Sequence, residues 1–265
     1  MLIALLSHCR GILCKIMLCK FTHCSVSFRK VVLSALALCL IGAANVGLSL
    51  TALSQPLTGS SSVITIPVAY VPPDGTVTLG GGFVHKKYVD YDIGPHHNAL
   101  YFGSIVFLPF LEVSYRFSRP LVDVPFALGD RSANVRAQLL AERGHRPAIL
   151  VGAHDILRTT VGQSNYSNAL YVVASKSFRP SPKLPRLSLH AGYGTDWISA
   201  QNRNFVGVFG GLSVSPLHGY ELLLEYDGNI FSVGQRIRVL DRIELLTALQ
   251  NFIAFSGGVA FSFSL

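Results

Sequence analysis

From Leu111 to Arg119 the chain runs LEVSYRFSR, and this stretch limits what the fold can be. Leu111, Val113, Tyr115 and Phe117 alternate with Glu112, Ser114, Arg116 and Ser118. A two-residue period puts the apolar set on one face of a strand and the polar set on the other, and it does not suit a helix. A soluble sheet would bury the apolar face, whereas a membrane barrel would turn it to lipid and keep the polar face for the lumen. Composition favours the barrel. Half of the residues are hydrophobic and only 14% are charged, against roughly a quarter in an average soluble domain. After residue 50 no apolar run reaches the roughly 18 to 20 residues of a membrane helix.

The same kind of run recurs twelve times: Thr76 to Tyr88, Asn98 to Phe107, Phe110 to Ser118, Arg131 to Leu140, Pro147 to His154, Ser167 to Phe178, Arg186 to Asp196, Phe205 to Val214, Tyr220 to Tyr226, Phe231 to Val239, Ile243 to Leu249 and Ala254 to Phe263. In the eighth run glycines blur the period. The connections alternate long and short up to the last three, as expected when both termini lie at the periplasmic end of a barrel. In the last run Phe255, Val259, Phe261 and Phe263 share one face, the form of a closing outer-membrane strand. Tyr88 with Tyr91, Phe107 with Phe110, and Trp197 with Phe205 sit near strand ends, where interfacial girdles lie. The expected fold is an all-β antiparallel transmembrane barrel of about 12 strands, within a range of roughly 10 to 14.

The preceding residues differ in kind. Residues 1 to 55 carry Arg10, Lys15, Lys20, Arg29 and Lys30 with no acidic group, which leaves +3 of the formal +8 on the rest. No nucleic-acid stripe results. Residues 31 to 44, VVLSALALCLIGAA, follow Phe28-Arg29-Lys30 and have the layout of a secretory signal, with cleavage positions after Ala44 and after Ala52. Cys39 does not complete a lipobox, because Leu38 stands where a small residue is needed. Cys9, Cys14, Cys19 and Cys24 recur every five residues, beside His8 and His23, which is not the spacing of zinc knuckles. An over-extended start, with Met17 as one alternative, accounts for this stretch. The expected organisation is a leader over 1 to 52, a linker and leading turn over 53 to 75, and a barrel over 76 to 265. Pro67, Pro72 and Pro73 exclude a central strand before Thr76.

Sites for chemistry are few. Ser213 lacks the second glycine of a nucleophile elbow. His154-Asp155 would point to opposite faces of a strand. His96-His97, near Asp90 and Asp92, is a solvated loop before it is a metal site. Gly80-Gly81-Gly82 has no helix after it to cradle phosphate, so a bent or closely packed strand is expected. No catalytic residue, cofactor or metal is expected. The inward-facing polar residues remain: Glu112, Arg116, Asn134, Arg136, Gln138, His190, Glu221, Glu225, Arg236 and Arg238. They would either brace and narrow the lumen or line a path for a glycan.

Several phrases, in order, resemble one family. They are ITIPVAYVPPDGTVTLGGGFV (64 to 84), LPFLEVSYRFSR (108 to 119), DRSANVRAQLLAERGHRPAILVGAHDIL (130 to 157), ALYVVASKSF (169 to 178), GVFGGLSVSP (207 to 216) and LLLEYDG (222 to 228) with GQRIR (234 to 238). They resemble the YjbH-like exopolysaccharide-biosynthesis family of outer-membrane proteins. The resemblance implies a non-enzymatic outer-membrane barrel of a Gram-negative bacterium that supports production or export of an extracellular polysaccharide. It carries over no catalytic residue. Larger members have more than one barrel-like region and some bear a lipid anchor, whereas this chain has one region and no lipobox. The implied partners are outer-membrane lipid, the barrel assembly machinery, the polysaccharide and other export proteins, with no nucleic acid. Two alternatives stay open: a soluble periplasmic or surface β-sandwich that binds a ligand, and an outer-membrane lipid or glycan hydrolase using His154 or His190.

Overall fold

The computed structural model describes residues 56–88, 90–91, 94–121, 129–156, 168–179, 181, 184–195 and 205–265. The leader with its cysteines and signal core, Asp92 and Trp197 lie outside the described residues. Twelve strands form the barrel: β1 (Thr76–Val84), β2 (Asn98–Phe107), β3 (Leu111–Pro120), β4 (Asp130–Leu140), β5 (Ala148–His154), β6 (Ala169–Phe178), β7 (Arg186–Thr195), β8 (Gly207–Leu217), β9 (Tyr220–Tyr226), β10 (Phe231–Val239), β11 (Ile243–Gln250) and β12 (Ala254–Ser264). Each pairs antiparallel with its neighbours in sequence, and β1 also pairs with β12 to close the sheet. One closed sheet replaces the two stacked sheets of the sandwich alternative. The first run stops at Val84, because Lys86–Tyr88 turn into a short 3-10 helix.

The period settles which way side chains face. Val113, Tyr115, Leu222, Leu224, Leu245, Val259 and Phe261 point outward and are each 37–46% exposed, while Glu112 is 0% and Glu225 and Arg136 are 1% exposed. An apolar outer wall and a polar inner face therefore alternate along the strands, as in barrels whose outer surface meets lipid. The short turns at 108–110, 218–219 and 240–242 lie at the same end as Gly75 and Leu265, whose backbones join through the Leu265 amide and the Gly75 carbonyl at 3.0 Å. We call this the short-turn end.

Glycine closes the seam between β1 and β12. A Cβ on Gly258 would fall 2.4 Å from the Gly81 carbonyl oxygen, and one on Gly80 would fall 2.4 Å from that of Val259. The glycine triplet is thus a closely packed strand.

The interior departs from the expected linker. Residues 56–70, QPLTGSSSVITIPVAY without its first residue, run inside the barrel as a plug; Leu57, Val63, Ile64, Ile66, Val68 and Ala69 are buried. They pack with Leu150, Val173, Phe209, Leu223, Leu246 and Ala248, which face inward from the strands. The lumen is therefore a packed core with polar and apolar parts.

Three expectations change in detail. Tyr88 is not a girdle residue: its hydroxyl donates to the Gln250 carbonyl at 3.1 Å, and its ring packs against the plug's core. Phe205 likewise turns inward, buried edge-on to His154 at 5.2 Å. His154 and Asp155 do not lie on opposite faces, since both are buried. Asp155 leaves the strand with φ of 54°, which breaks the alternation.

Candidate functional site

The plug is a tight reversal. The Val63 amide donates to the Ile66 carbonyl at 2.9 Å and the Val68 amide to the Ser61 carbonyl at 3.3 Å, so Ser61 and Val68 form two legs with Ile64-Thr65-Ile66 at the tip. Pro67 has no amide to give, yet the reversal needs none there: Ser62 and Pro67 face each other as an isolated bridge.

Two wall residues hold the legs. Glu112, on β3, accepts the Ser61 amide at 3.1 Å and the Ser61 hydroxyl at 2.9 Å. Arg136, on β4, pairs with Glu112 at 3.1 Å and donates to the carbonyls of Ser61, Val68 (3.1 Å) and Tyr70 (2.5 Å). Cross-strand register puts Glu112 directly opposite Arg136, which is why a buried acid and a buried base can meet there. Buried charges are tolerated when paired and hydrogen-bonded in this way.

Glu225 holds the tip. Its carboxylate accepts the amides of Ile64 (2.8 Å), Thr65 (2.9 Å) and Ile66 (3.2 Å) and the Thr65 hydroxyl (2.6 Å). Arg236, on β10, donates to the carbonyls of Ser62 (2.9 Å) and Val63 (2.5 Å) and pairs with Glu221 at 2.6 Å and Glu244 at 3.5 Å. Arg238 reaches Glu244 at 3.7 Å.

The remaining predicted residues complete the clamp. Arg116 donates to the Leu57 carbonyl at 3.3 Å, Asn134 to the Thr58 carbonyl at 3.5 Å, and Gln138 to the Ala69 carbonyl at 2.6 Å. His190 hydrogen-bonds the Ser175 hydroxyl at 2.8 Å, and that hydroxyl accepts the Ala69 amide at 2.8 Å. Seven of the ten predicted side chains thus bind the plug's backbone directly, and Glu221, Arg238 and His190 support it through Arg236, Glu244 and Ser175.

Small wall residues make room for the plug. A Cβ on Gly211 would lie 2.8 Å from the Ile66 Cδ1, and one on Gly234 would lie 3.1 Å from the Ile64 Cδ1. Of the glycines that blur the period of β8, Gly211 is the one where the plug's Ile66 and Val63 press on the wall.

Sequence reasoning missed the groups around Tyr70. Its hydroxyl donates to Glu142 at 2.6 Å and contacts the Ser177 hydroxyl at 2.9 Å, and Lys176 closes on Glu142 at 2.7 Å. Burial alone would raise the Glu142 pKa, but hydrogen bonds from Lys176, Tyr70 and the Ser177 amide outweigh it and hold the carboxyl below its ordinary value. Ser177 lies in step with Ser175, and Ser188 and Arg186 with His190, so continuing the period would have found them. Glu142 lies in a turn, where no period applies.

Other candidates are elsewhere engaged. His97 stacks on Phe83 at 5.2 Å, and its Nδ1 accepts the Lys86 amide at 3.2 Å. Among the described residues no three His, Cys, Asp or Glu side chains gather as a metal site.

A closed antiparallel barrel with an apolar outer wall, stoppered from within by the segment that leads into its first strand, defines the class. The model of the YjbH family, described as exopolysaccharide biosynthesis protein YbjH, matches residues 58–242, and the chain belongs to that family. The matched span begins inside the plug, so plug and wall fall within one family pattern. No curated protein matches the chain.

Proposed function

We propose that the chain is an outer-membrane barrel that supports production or export of an extracellular polysaccharide, acting as a stoppered membrane component and not as an open conduit. The observation that carries this is the clamp of Glu112, Arg136, Glu225 and Arg236 on the plug: these are the charges a polar path would use, and the chain's own backbone occupies them. The apolar outer wall supports a membrane setting. The family's description supports the link to exopolysaccharide. Outer-membrane lipid, the barrel assembly machinery and other export proteins are the partners this reading names, and it assigns no catalysis.

Two measurements test it. After alkaline washing the protein should stay with the outer membrane and show a heat-dependent gel shift; recovery in the soluble fraction would overturn the location. Deleting the gene should lower extracellular polysaccharide, and the wild-type gene should restore it; unchanged output would overturn the role.

A further inference from the structure

The outer wall concentrates its charge in one place. Every carboxylate in the described barrel strands lies on the inner face: Glu112, Asp130, Glu221, Glu225 and Glu244. Of the basic side chains in those strands, Arg119 near the end of β3, Arg131 at the start of β4 and Lys176 on β6 face outward. Lys176 lies towards the short-turn end and is met by Glu142 at 2.7 Å. Arg119 and Arg131 lie together at the opposite end, where the longer connections are, and both are exposed. Phe117 is directly opposite Arg131, so Arg119 is the diagonal neighbour of Arg131 on the same face, with Cβ atoms about 7 to 8 Å apart. Two guanidiniums at that spacing repel each other, and an anion between them reverses the sign.

Below this pair the wall is hollowed. An open apolar groove of about 540 Å3 crosses β4 to β7. Ala137, Val151, Val172 and Tyr193 form one cross-strand row along it, and Val135 with Ala153 begins the next row, nearer the arginines. The alanines leave the hollow beside the larger Val172 and Tyr193. On β4 only Ala133 faces outward between Arg131 and Val135, a distance of about 13 Å at about 3.3 Å per residue.

An anion site set above an apolar groove on one wall suits a lipid. A phosphate monoester carries about −1.5 to −2 charge near neutral pH and three acceptor oxygens, which suits two guanidiniums better than the single charge of a phosphodiester. The planar fork of arginine grips such oxygens in pairs. The small Ala133 leaves the way clear from head group to groove.

We propose that the wall from β3 to β7 seats one lipid bearing a phosphate monoester, with the phosphate between Arg119 and Arg131 and an acyl chain passing over Ala133 into the groove. With the short turns on the periplasmic side, as in outer-membrane barrels, this end meets the outer leaflet, where lipid A carries such phosphates. The choice of lipid A rests on the membrane setting proposed above.

The test uses the full-length protein in an uncharged detergent, titrated with lipid A, phosphatidylglycerol or inorganic phosphate and followed by native mass spectrometry. Lipid A should bind saturably, one per barrel. Arg119→Gln with Arg131→Gln should weaken it by about tenfold or more, and Arg119→Lys with Arg131→Lys should recover part of the loss. Ala153→Phe, which fills the groove and leaves both arginines in place, should also weaken it, and all variants should keep the wild-type gel shift. Phosphatidylglycerol, a phosphodiester, should bind less tightly, and inorganic phosphate should not displace lipid A. Absence of saturable lipid A binding, equal affinity in wild type and the double glutamine variant, unchanged affinity in Ala153→Phe, phosphatidylglycerol binding as well as lipid A, or displacement by inorganic phosphate would overturn the proposal. A protein that stays in the outer membrane after alkaline washing yet fails these titrations loses the lipid site alone. Recovery in the soluble fraction would overturn the site and the membrane setting together.

Discussion

Glu225 holds Thr65 twice, through the backbone amide at 2.9 Å and the hydroxyl at 2.6 Å, both on the same carboxylate oxygen. The amides of Ile64 and Ile66 complete the set on the other oxygen, so one wall carboxylate satisfies every polar donor at the tip of the plug. In that enclosed setting an amide left without an acceptor costs about 1 to 3 kcal/mol.

Glu225→Ala should therefore loosen the tip while leaving the barrel closed. With the leader cysteines replaced by serine, a single cysteine at Thr65 should react with a water-soluble maleimide in Glu225→Ala and stay protected when Glu225 is intact. Equal protection in both would show that the apolar contacts of Ile64 and Ile66 hold the tip unaided.

Arg136 and Glu112 are both fully buried, so removing one leaves the other charged and unpaired. Arg136→Met should cost about 3 to 5 kcal/mol. Glu112→Met with Arg136→Met should cost less than the two single changes added together. Unfolding in urea, followed by the heat-dependent gel shift, measures the cycle; simple additivity would mean that the pair contributes only through its separate bonds to the plug.

Val113 points outward from β3, two residues after its first residue, Leu111. If that face meets the bilayer midplane, Val113→Arg should destabilise the barrel in lipid vesicles by about 2 to 4 kcal/mol. A neutral result would place the wall in water.

Gly258 and Gly211 separate two kinds of close packing. A methyl on Gly258 meets the Gly81 backbone at 2.4 Å, whereas one on Gly211 meets the flexible end of Ile66 at 2.8 Å. Gly258→Ala should lower the unfolding temperature more than Gly211→Ala, and the reverse order would move the tightest constraint from the seam to the plug.

Glu142 is held below its ordinary value of 4.5 in the folded protein. A group depressed on folding contributes stability above its unfolded pKa and loses it as pH falls through the folded value. The stability difference between wild type and Glu142→Gln should thus be full above pH 4.5 and shrink as the pH is lowered beyond it. A difference that grows on acidification would contradict the bonds from Lys176 and Tyr70.

Much of the wall could be read in advance because a strand has a rigid period. Once Glu112 and Arg116 are placed on one face, Ser114 and Ser118 follow, and the register of β3 on β4 brings in Asn134 and Arg136. Residues 56–70 carry no such period. QPLTGSSS has the composition of a linker, and local propensity cannot distinguish a polar segment in water from one whose amides and carbonyls are met by wall side chains. Inward Leu150, Val173 and Leu246 were the available signal: apolar groups on the lumen face have no reason to be there unless something apolar fills the barrel.

The plug's last clamped residue, Tyr70, is followed by only 71–75 before β1 begins at Thr76. Five residues extend at most about 18 Å. A plug that let go could swing out only at the short-turn mouth, and it would stay at an effective concentration in the millimolar range relative to its own clamp. A free molecule competing for Glu225 and Arg136 would meet a tethered rival that never diffuses away, so opening such a barrel calls for a binder that grips the plug or pulls on it.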